Sequence, residues 1–248
     1  MTGRVYNQVD GLLLVDKPVD WTSHDVVNFL RRRFNLRKTG HCGTLDPFAS
    51  GLLMLLLGKA CKLQDCFMAE DKVYSGTIQF GIETDSQDRC GEILRRSDNV
   101  ELDEAVLHQA LSGFLGEQLQ IPPMHSAIKQ GGQPLYKLAR KGVEVERKPR
   151  RIYVHSFVIE QLRPEQAQAD FCLKCSKGTY VRTIAADLGQ KLGCGAHLLE
   201  LRRLQSGSFS VKQAHDVETV KSWELPDLLE HILPLAEISL MLQSASEA

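Results

Sequence analysis

A run of six apolar residues, Leu52–Leu57, is the feature that most constrains the fold of this chain. Its length and its lack of polar positions are typical of a fully buried strand. Directly before it stands Gly43-Thr44-Leu45-Asp46-Pro47-Phe48-Ala49-Ser50-Gly51. Pro47 fixes its own φ and pushes Asp46 out of the α region, while the glycines allow a close backbone approach. This segment therefore predicts a rigid turn that carries one carboxylate at the mouth of a hydrophobic core.

The Asp46 carboxylate has two interpretations from the residues alone. Aspartate followed by proline is a frequent turn sequence, in which the side chain caps its own backbone. A lone, rigidly held carboxylate beside a core is also a plausible catalytic group. Spacing does not decide between the two.

Composition places the chain among ordinary globular proteins. Its 248 residues allow one large domain or two small ones, with 43% hydrophobic and 25% charged residues. The longest aliphatic run is too short to span a membrane, and the N-terminus shows no signal peptide, so no membrane contact is expected. Seven scattered cysteines suit reduced thiols in a cytoplasm. No His or Cys has metal-ligand spacing, and Cys172 and Cys175 form an isolated pair in strand-like sequence.

Charge is distributed unevenly along a chain whose formal net charge is only −1. The segment from Arg31 to Lys38 contains five basic residues and no acidic one. The segment from Lys129 to Arg151 contains eight basic residues and two acidic ones. Such patches are the electrostatic footprint expected for a polyanion, although a solvated charged face has the same composition.

Patterning predicts an α+β fold. Strands are expected at Gly11–Val15, Leu52–Leu57, Val73–Phe80 and His197–Leu204, with a hairpin of Ile152–Glu160 and Ala169–Cys175. Helices are expected after the caps Thr22 or Ser23, Asp103 and Asp216, over Thr179–Leu192, and last at Pro226. The helix after Asp103 is expected to carry the apolar residues Val106, Leu107, Ala110, Leu111 and Phe114. Residues 39–51 are predicted as a loop, and residues 122–150 as a basic insertion with a short helix around Leu135–Arg140.

The segment around Asp46 closely resembles the catalytic motif of the TruB family of tRNA pseudouridine synthases. Further blocks resemble the same family in the same order along the chain. These blocks are Asp16–Ser23, Lys72–Gly76 with Phe80-Gly81 and Thr84-Asp85, Pro122–Lys129 with Tyr136–Arg140, Cys175–Arg182, and Leu201–Leu204. Each block alone is weakly specific, whereas the ordered set over most of the chain is very specific.

The resemblance implies the pseudouridine synthase fold, a mixed and mostly antiparallel sheet flanked by helices with a central active-site cleft. It also implies a cofactor-independent isomerase that flips a uridine out of tRNA and rejoins its ribose to C5. Family roles are carried to matching residues only. The catalytic set is Asp46, its partner Arg182, and Tyr74, which stacks on the flipped base. The substrate-binding set is His41, which stacks in the RNA loop, the pocket walls Tyr180 and Leu201, and the basic Lys17 and Lys62, which meet phosphate or support the loop.

Residues 122–150 resemble an RNA-gripping insertion of the family. Its predicted phosphate contacts are Lys129, Arg140, Arg147, Lys148, Arg150 and Arg151. His125 stands where the family usually has tyrosine, so contacts there are expected to differ. The chain ends soon after Ile232–Leu235, where relatives often continue into a small RNA-binding PUA domain. We therefore expect one catalytic domain over residues 1–248, without that appended domain.

Together these features predict a monomeric, cytoplasmic enzyme that acts on uridine 55 in the T-arm stem-loop of tRNA. Two alternatives stay open, namely a pseudouridine synthase for another stem-loop RNA and a tRNA-folding or RNA-binding protein. Retention of Asp46, Tyr74 and Arg182 together argues against a vestigial pocket. A glycoside hydrolase would need a second carboxylate. The candidates Asp85 and Asp88 lie in a sequence that is typical of a turn.

Overall fold

The structure, a computed structural model, describes residues 5–98 and 100–246. The strands are β1 Gly11–Lys17, β2 Thr39–Cys42, β3 Ser50–Leu57, β4 Lys72–Phe80, β5 Ile82–Thr84, β6 Ile93–Arg96, β7 Gly116–Gln120, β8 Lys129–Gln130, β9 Gln133–Pro134, β10 Arg150–Arg163, β11 Gln168–Cys175, β12 Ala196–Ser206, β13 Phe209–Ser210, β14 His215–Asp216 and β15 Leu233–Pro234. The helices are α1 Ser23–Arg33, α2 Gln64–Ala69, α3 Glu104–Ser112, α4 Leu135–Ala139, α5 Val181–Lys191, α6 Val217–Ser222, α7 Leu225–His231 and α8 Leu235–Ser246, with 3₁₀ turns at Gly58–Leu63, Pro164–Gln166 and Val211–Gln213.

The described chain forms two compact units. The first contains the residues up to 72 and from 202 onward, and the second contains residues 73–201. Strands and helices mix in both units, and antiparallel pairs outnumber the parallel pairs β1–β14 and β3–β12. The predicted α+β class with a mixed sheet is confirmed.

The leucine-rich run forms β3 of the first unit, where it pairs with β1 in antiparallel register. Alternate side chains of β1 and β3 enter two separate apolar clusters. One face packs against Leu30 of α1, Val220 of α6 and Leu228 of α7, and the other packs against Phe67 of α2 and Ile238 of α8. Because both faces of this strand are covered, apolar residues occupy every position from 52 to 57.

Strand order in the second unit runs β4-β11-β10-β7. The predicted hairpin of β10 and β11 is present, with Phe157 opposite Leu173. Helices α3 and α5 pack on one side of this sheet. On that side, the ring of Phe157 makes edge-on contacts with the rings of Phe114 and Phe171. Arg150 pairs with Gln120, so the predicted insertion is the connection between two adjacent antiparallel strands.

Two details predicted from the sequence are wrong. Residues 39–42 and 50–51 belong to β2 and β3, so the loop predicted over 39–51 is confined to residues 43–49. A helix, α8, follows the one that was predicted to be the last. Helix α3 turns Leu107, Ala110 and Leu111 inward and leaves Val106 54% exposed. No helix in the described part of the chain is long and apolar enough to cross a membrane.

Candidate active site

Asp46 lies in the short connection between β2 and β3 and is half-buried. The backbone N–H of Ala49 donates to the carbonyl of Asp46 at 3.1 Å, which closes a four-residue turn. Pro47 occupies the second position of this turn, where its fixed φ is favourable. The rigid aspartate–proline turn predicted from the sequence is therefore present.

The N-terminal end of α1 holds this loop from one side. Thr22 caps the helix in a reciprocal capping box with Asp25. The next residue, Ser23, is buried, and its hydroxyl accepts from the N–H of Leu45 at 2.9 Å and donates to the same residue's carbonyl at 3.2 Å. The loop position that precedes Asp46 is thus anchored through one serine hydroxyl.

Lys17 stabilises the loop through hydrogen bonds to backbone carbonyls. Its side chain is fully buried at the end of β1, and its ammonium donates to the carbonyls of Trp21 at 2.7 Å, Pro18 at 2.8 Å and Pro47 at 3.4 Å. Burial lowers the pKa of Lys17 to about 8, although the nearby charges of Asp46 and Asp20 oppose this shift. Of the two roles predicted for Lys17, its contacts favour loop support over phosphate binding.

His41 and Lys62 belong to the same unit as Asp46. His41 lies on β2 opposite Leu55, and its Nδ1 is buried without a hydrogen-bond partner among the described residues. Burial, and secondarily the charge of Arg203, lowers the pKa of His41, which favours a neutral ring. Lys62 is exposed in the 3₁₀ turn after β3. Their predicted RNA contacts stay predictions.

Arg182 is the centre of a buried polar network in the second unit. It follows the first residue of α5, as predicted, and its side chain is only 5% exposed. One terminal nitrogen lies 3.4 Å from a carboxylate oxygen of Asp88 and 3.4 Å from the carbonyl of Ser86. The other donates to the carbonyl of His125 at 2.6 Å. The guanidinium therefore joins the turn after β5 to the start of the insertion.

Asp88 is the residue of this network that the sequence analysis placed in a turn. It does lie in a turn, but its second carboxylate oxygen accepts from the hydroxyl of Ser86 at 2.7 Å and the N–H of Cys90 at 2.9 Å. These bonds fix the carboxylate for Arg182. The only sequence signal was its place shortly after the family block Thr84-Asp85.

Tyr180, Tyr74 and Leu201 are the remaining predicted pocket residues, and all three belong to the second unit. The side-chain amide of Gln120 clamps Tyr180, since it accepts from its N–H at 2.8 Å and donates to its carbonyl at 3.1 Å. The ring centre of Tyr180 lies 5.8 Å from the guanidinium carbon of Arg182. Tyr74 on β4 and Leu201 on β12 are buried. Tyr180 and Arg182 are thus brought together, and the pairing of Arg182 with Asp46 stays a prediction.

The insertion contains a β-hairpin and a short helix. Gly131 and Gly132 form the tight turn between β8 and β9, both with positive φ, and α4 follows. Five of the predicted phosphate-binding residues have exposed side chains. They are Lys129, Arg140, Lys148, Arg150 and Arg151.

Two of the predicted phosphate-binding residues contact other groups of the protein. Arg147 donates to the carbonyl of Pro122 at 3.3 Å and to Glu144 at 2.9 Å, and Arg151 lies 3.3 Å from Glu117. Binding RNA through these two residues would require those contacts to be exchanged. The described residues contain no group of three or more His, Cys, Asp or Glu side chains placed to hold a metal ion.

Two family models match adjacent segments of the chain. One, described as TruB family pseudouridylate synthase (N terminal domain), matches residues 31–181. The other, described as tRNA pseudouridylate synthase B C-terminal domain, matches residues 182–238. The first contains Asp46, and the boundary between the two falls directly before Arg182.

Curated relatives share the same description. A tRNA pseudouridine synthase B of Opitutus terrae is 51% identical over 92% of this chain and 94% of its own length. One of Syntrophotalea carbinolica is 48% identical over 92% of this chain and 74% of its own length, and one of Bordetella avium is 44% identical over 91% and 93%. Among solved structures, a chain in a Cbf5-Nop10-Gar1 complex is 26% identical with a TM-score of 0.72, and the match covers 92% of this chain and 60% of that chain.

Proposed function

This chain belongs to the TruB family of pseudouridylate synthases, and we propose that it isomerises uridine 55 in the T-loop of tRNA. Support comes first from the relatives described as tRNA pseudouridine synthase B, of which the Opitutus terrae protein is 51% identical. The single structural observation that carries the proposal is Asp46, a half-buried carboxylate on a proline-fixed turn beside the buried ammonium of Lys17.

The reaction breaks the N1–C1′ bond of uridine and joins C1′ to C5. C5 loses a proton and N1 gains one, so atoms balance without a cofactor. The positive charge of Lys17 favours the ionised form of a neighbouring carboxylate. An ionised Asp46 serves this reaction by attack on C1′, by attack on C6 or by removal of the C2′ proton, and the contacts of the loop are compatible with each route.

Other residues of the site divide the remaining tasks. The base must leave the helical stack before it reacts, and the detached base must be held while it rotates. Tyr74 stacks on the base and removes the C5 proton, and Tyr180 and Leu201 form pocket walls. His41 stacks in the RNA loop, which suits a neutral ring. Arg182 pairs with Asp46.

RNA binding itself falls to basic side chains. The exposed Lys62 and the exposed basic side chains of the insertion contact phosphate, while loop bases are recognised by shape and stacking. The enzyme works as a monomer in the cytoplasm, where its tRNA substrate occurs.

The test is to map pseudouridine after incubation of transcribed tRNA with three proteins, the native chain, Asp46→Asn and Asp65→Asn. We expect modification at position 55 by the native chain and by Asp65→Asn, since Asp65 is an exposed residue of α2. Asp46→Asn keeps the side-chain volume but removes the charge, so its turnover should fall by several orders of magnitude while RNA affinity changes little. Full activity of a clean Asn variant would refute the role of Asp46. Modification of an unrelated stem-loop in preference to tRNA would refute the substrate.

A further inference from the structure

Arg203 is a buried cation that the functions described above do not use. Only 1% of the residue is exposed on β12, and it is among the largest fully buried side chains in the described chain. Its Nε donates to the carbonyl of Leu52 at 2.7 Å and one terminal nitrogen donates to the carbonyl of Gly43 at 3.3 Å. No carboxylate lies within ion-pair distance of its guanidinium among the described residues.

Burying a guanidinium with only carbonyl partners is costly, because the charge loses its hydration and gains no counter-ion. An apolar side chain of similar volume would fill the same space without this cost. The presence of arginine here therefore indicates that its directed hydrogen bonds are needed. Both bonds end on the backbone of residues that flank Asp46 in sequence.

The backbone of Arg203 also contacts the segment that contains Asp46. Arg203 pairs with Gly51 in the parallel register of β12 and β3. A Cβ on Gly51 would lie 2.3 Å from the carbonyl oxygen of Arg203, and Gly51 has a φ of +103°. At the other end, Gly43 has a φ of +83°, and a Cβ there would lie 3.3 Å from a terminal nitrogen of Arg203. Both glycines of the motif thus permit the close approach of one residue.

We propose that Arg203 is the positioning residue for Asp46, because it clamps both ends of residues 43–52 and so fixes the direction of the carboxylate. Lys17 completes the clamp at the middle of the segment through the carbonyl of Pro47. The proposal rests on the proposed function in one respect, that Asp46 is the catalytic carboxylate. Arg203 acts through the loop and does not touch the substrate.

Three variants test the clamp. Arg203→Met removes the donors and keeps much of the volume, and Arg203→Lys keeps the charge with a single donor group. Arg163→Met is the matched control, since Arg163 of β10 is bonded to Asp170 in the other unit. For each folded protein we would measure the single-turnover rate at saturating T-arm RNA, the RNA dissociation constant, and amide hydrogen exchange of residues 43–52 without RNA.

We expect Arg203→Met to lower the single-turnover rate by about 10- to 100-fold, the effect of misplacing a reacting group by about 1 Å. RNA affinity should change little, and hydrogen exchange should accelerate within residues 43–52. Arg203→Lys should recover part of both the rate and the protection, and Arg163→Met should keep the native rate. A native rate in folded Arg203→Met would overturn the proposal, as would a loss of rate without faster exchange in the loop.

If Arg203→Met does not fold, Arg203→Lys decides. A reduced rate with faster exchange in the loop supports the clamp, whereas a native rate overturns it. Failure of the clamp is distinguishable from failure of the proposed function. If the clamp fails, the native protein modifies tRNA and the Arg203 variants do so equally well. If the proposed function fails, the native protein makes no pseudouridine, whatever the hydrogen exchange data show.

Discussion

Asp88→Asn should destabilise the second unit far more than Glu117→Gln, although both changes break an ion pair of similar length. Asp88 lies 3.4 Å from Arg182, and Glu117 lies 3.3 Å from Arg151. The side chains of the first pair are 6% and 5% exposed, whereas those of the second are 62% and 79% exposed. Distance is therefore nearly constant in this comparison, and burial is the variable.

Removing one partner from a buried pair costs about 3–5 kcal/mol when the other charge is left uncompensated. We expect the lower end, about 3 kcal/mol, since the amide oxygen of asparagine can still accept from Ser86 and Cys90 and Arg182 keeps its other partners. An exposed pair contributes at most about 1 kcal/mol and commonly nothing measurable. The free energy of unfolding should therefore fall by about 3 kcal/mol in Asp88→Asn and by less than about 1 kcal/mol in Glu117→Gln.

Urea unfolding followed by far-UV circular dichroism at pH 7 measures the difference. With a slope of about 1–3 kcal/mol per molar urea, the midpoint of Asp88→Asn should fall by about 1 M or more. That of Glu117→Gln should stay close to the native value. Equal shifts in the two variants would refute the argument that burial makes the Asp88–Arg182 pair matter.

Three further predictions follow from other features of the site. The folded chain releases the Lys17 proton at a pKa of about 8, whereas the unfolded chain keeps this proton up to a pKa of about 10.5. Between these pH values the free energy of unfolding of the native protein should therefore rise relative to that of Lys17→Met, by about 1.4 kcal/mol per pH unit and up to about 3 kcal/mol. A constant difference between the two proteins in urea titrations across this range would contradict the prediction. Replacing Lys129 and Lys148 with alanine should reduce the slope of log binding constant against log salt concentration for T-arm RNA by about 1.4–1.8, at about 0.7–0.9 per phosphate contact. The control Lys212→Ala should leave this slope unchanged, and an unaltered slope in the double variant would mean that RNA is bound elsewhere. Arg182→Lys keeps the charge but loses the planar fork of donors, so single-turnover rates should fall strongly without unfolding, and a native rate would remove Arg182 from the catalytic set.

Much of the architecture was predictable because its signals are local. A capping residue is recognised by the residues that follow it, so Asp103 and Asp216 were identified as helix starts, and Thr22 was one of two candidates for the first helix. The β10–β11 hairpin was likewise readable from two short apolar runs with a turn between them. The sequence did not decide which apolar residues of α3 are buried, because adjacent apolar residues on a short helix allow two inward faces and only packing selects one of them.

Some features of the candidate site were likewise predictable from the local sequence, and others were not. The motif around Asp46 predicted a turn, and the hydrogen bond from Ala49 to Asp46 forms within four residues. The roles of Lys17 and Asp88 were not predictable to the same degree. Lys17 was assigned either phosphate or the loop, and only its complete burial against three carbonyls favours the second.

By itself the sequence determined the buried strand at Leu52–Leu57, the proline-fixed turn before it and the membership in a family of RNA-modifying enzymes. Only the tertiary structure decided which polar groups contact each other. Arg182 contacts Asp88, which is 94 residues away in the sequence, and Arg203 donates to the carbonyl of Leu52, which is 151 residues away. Side-chain periodicity and capping depend on neighbours within a few residues, so they are written in the local sequence. The partners of a buried charge come from distant strands and turns, and a guanidinium has the same sequence signature whether it faces solvent or holds a loop in place.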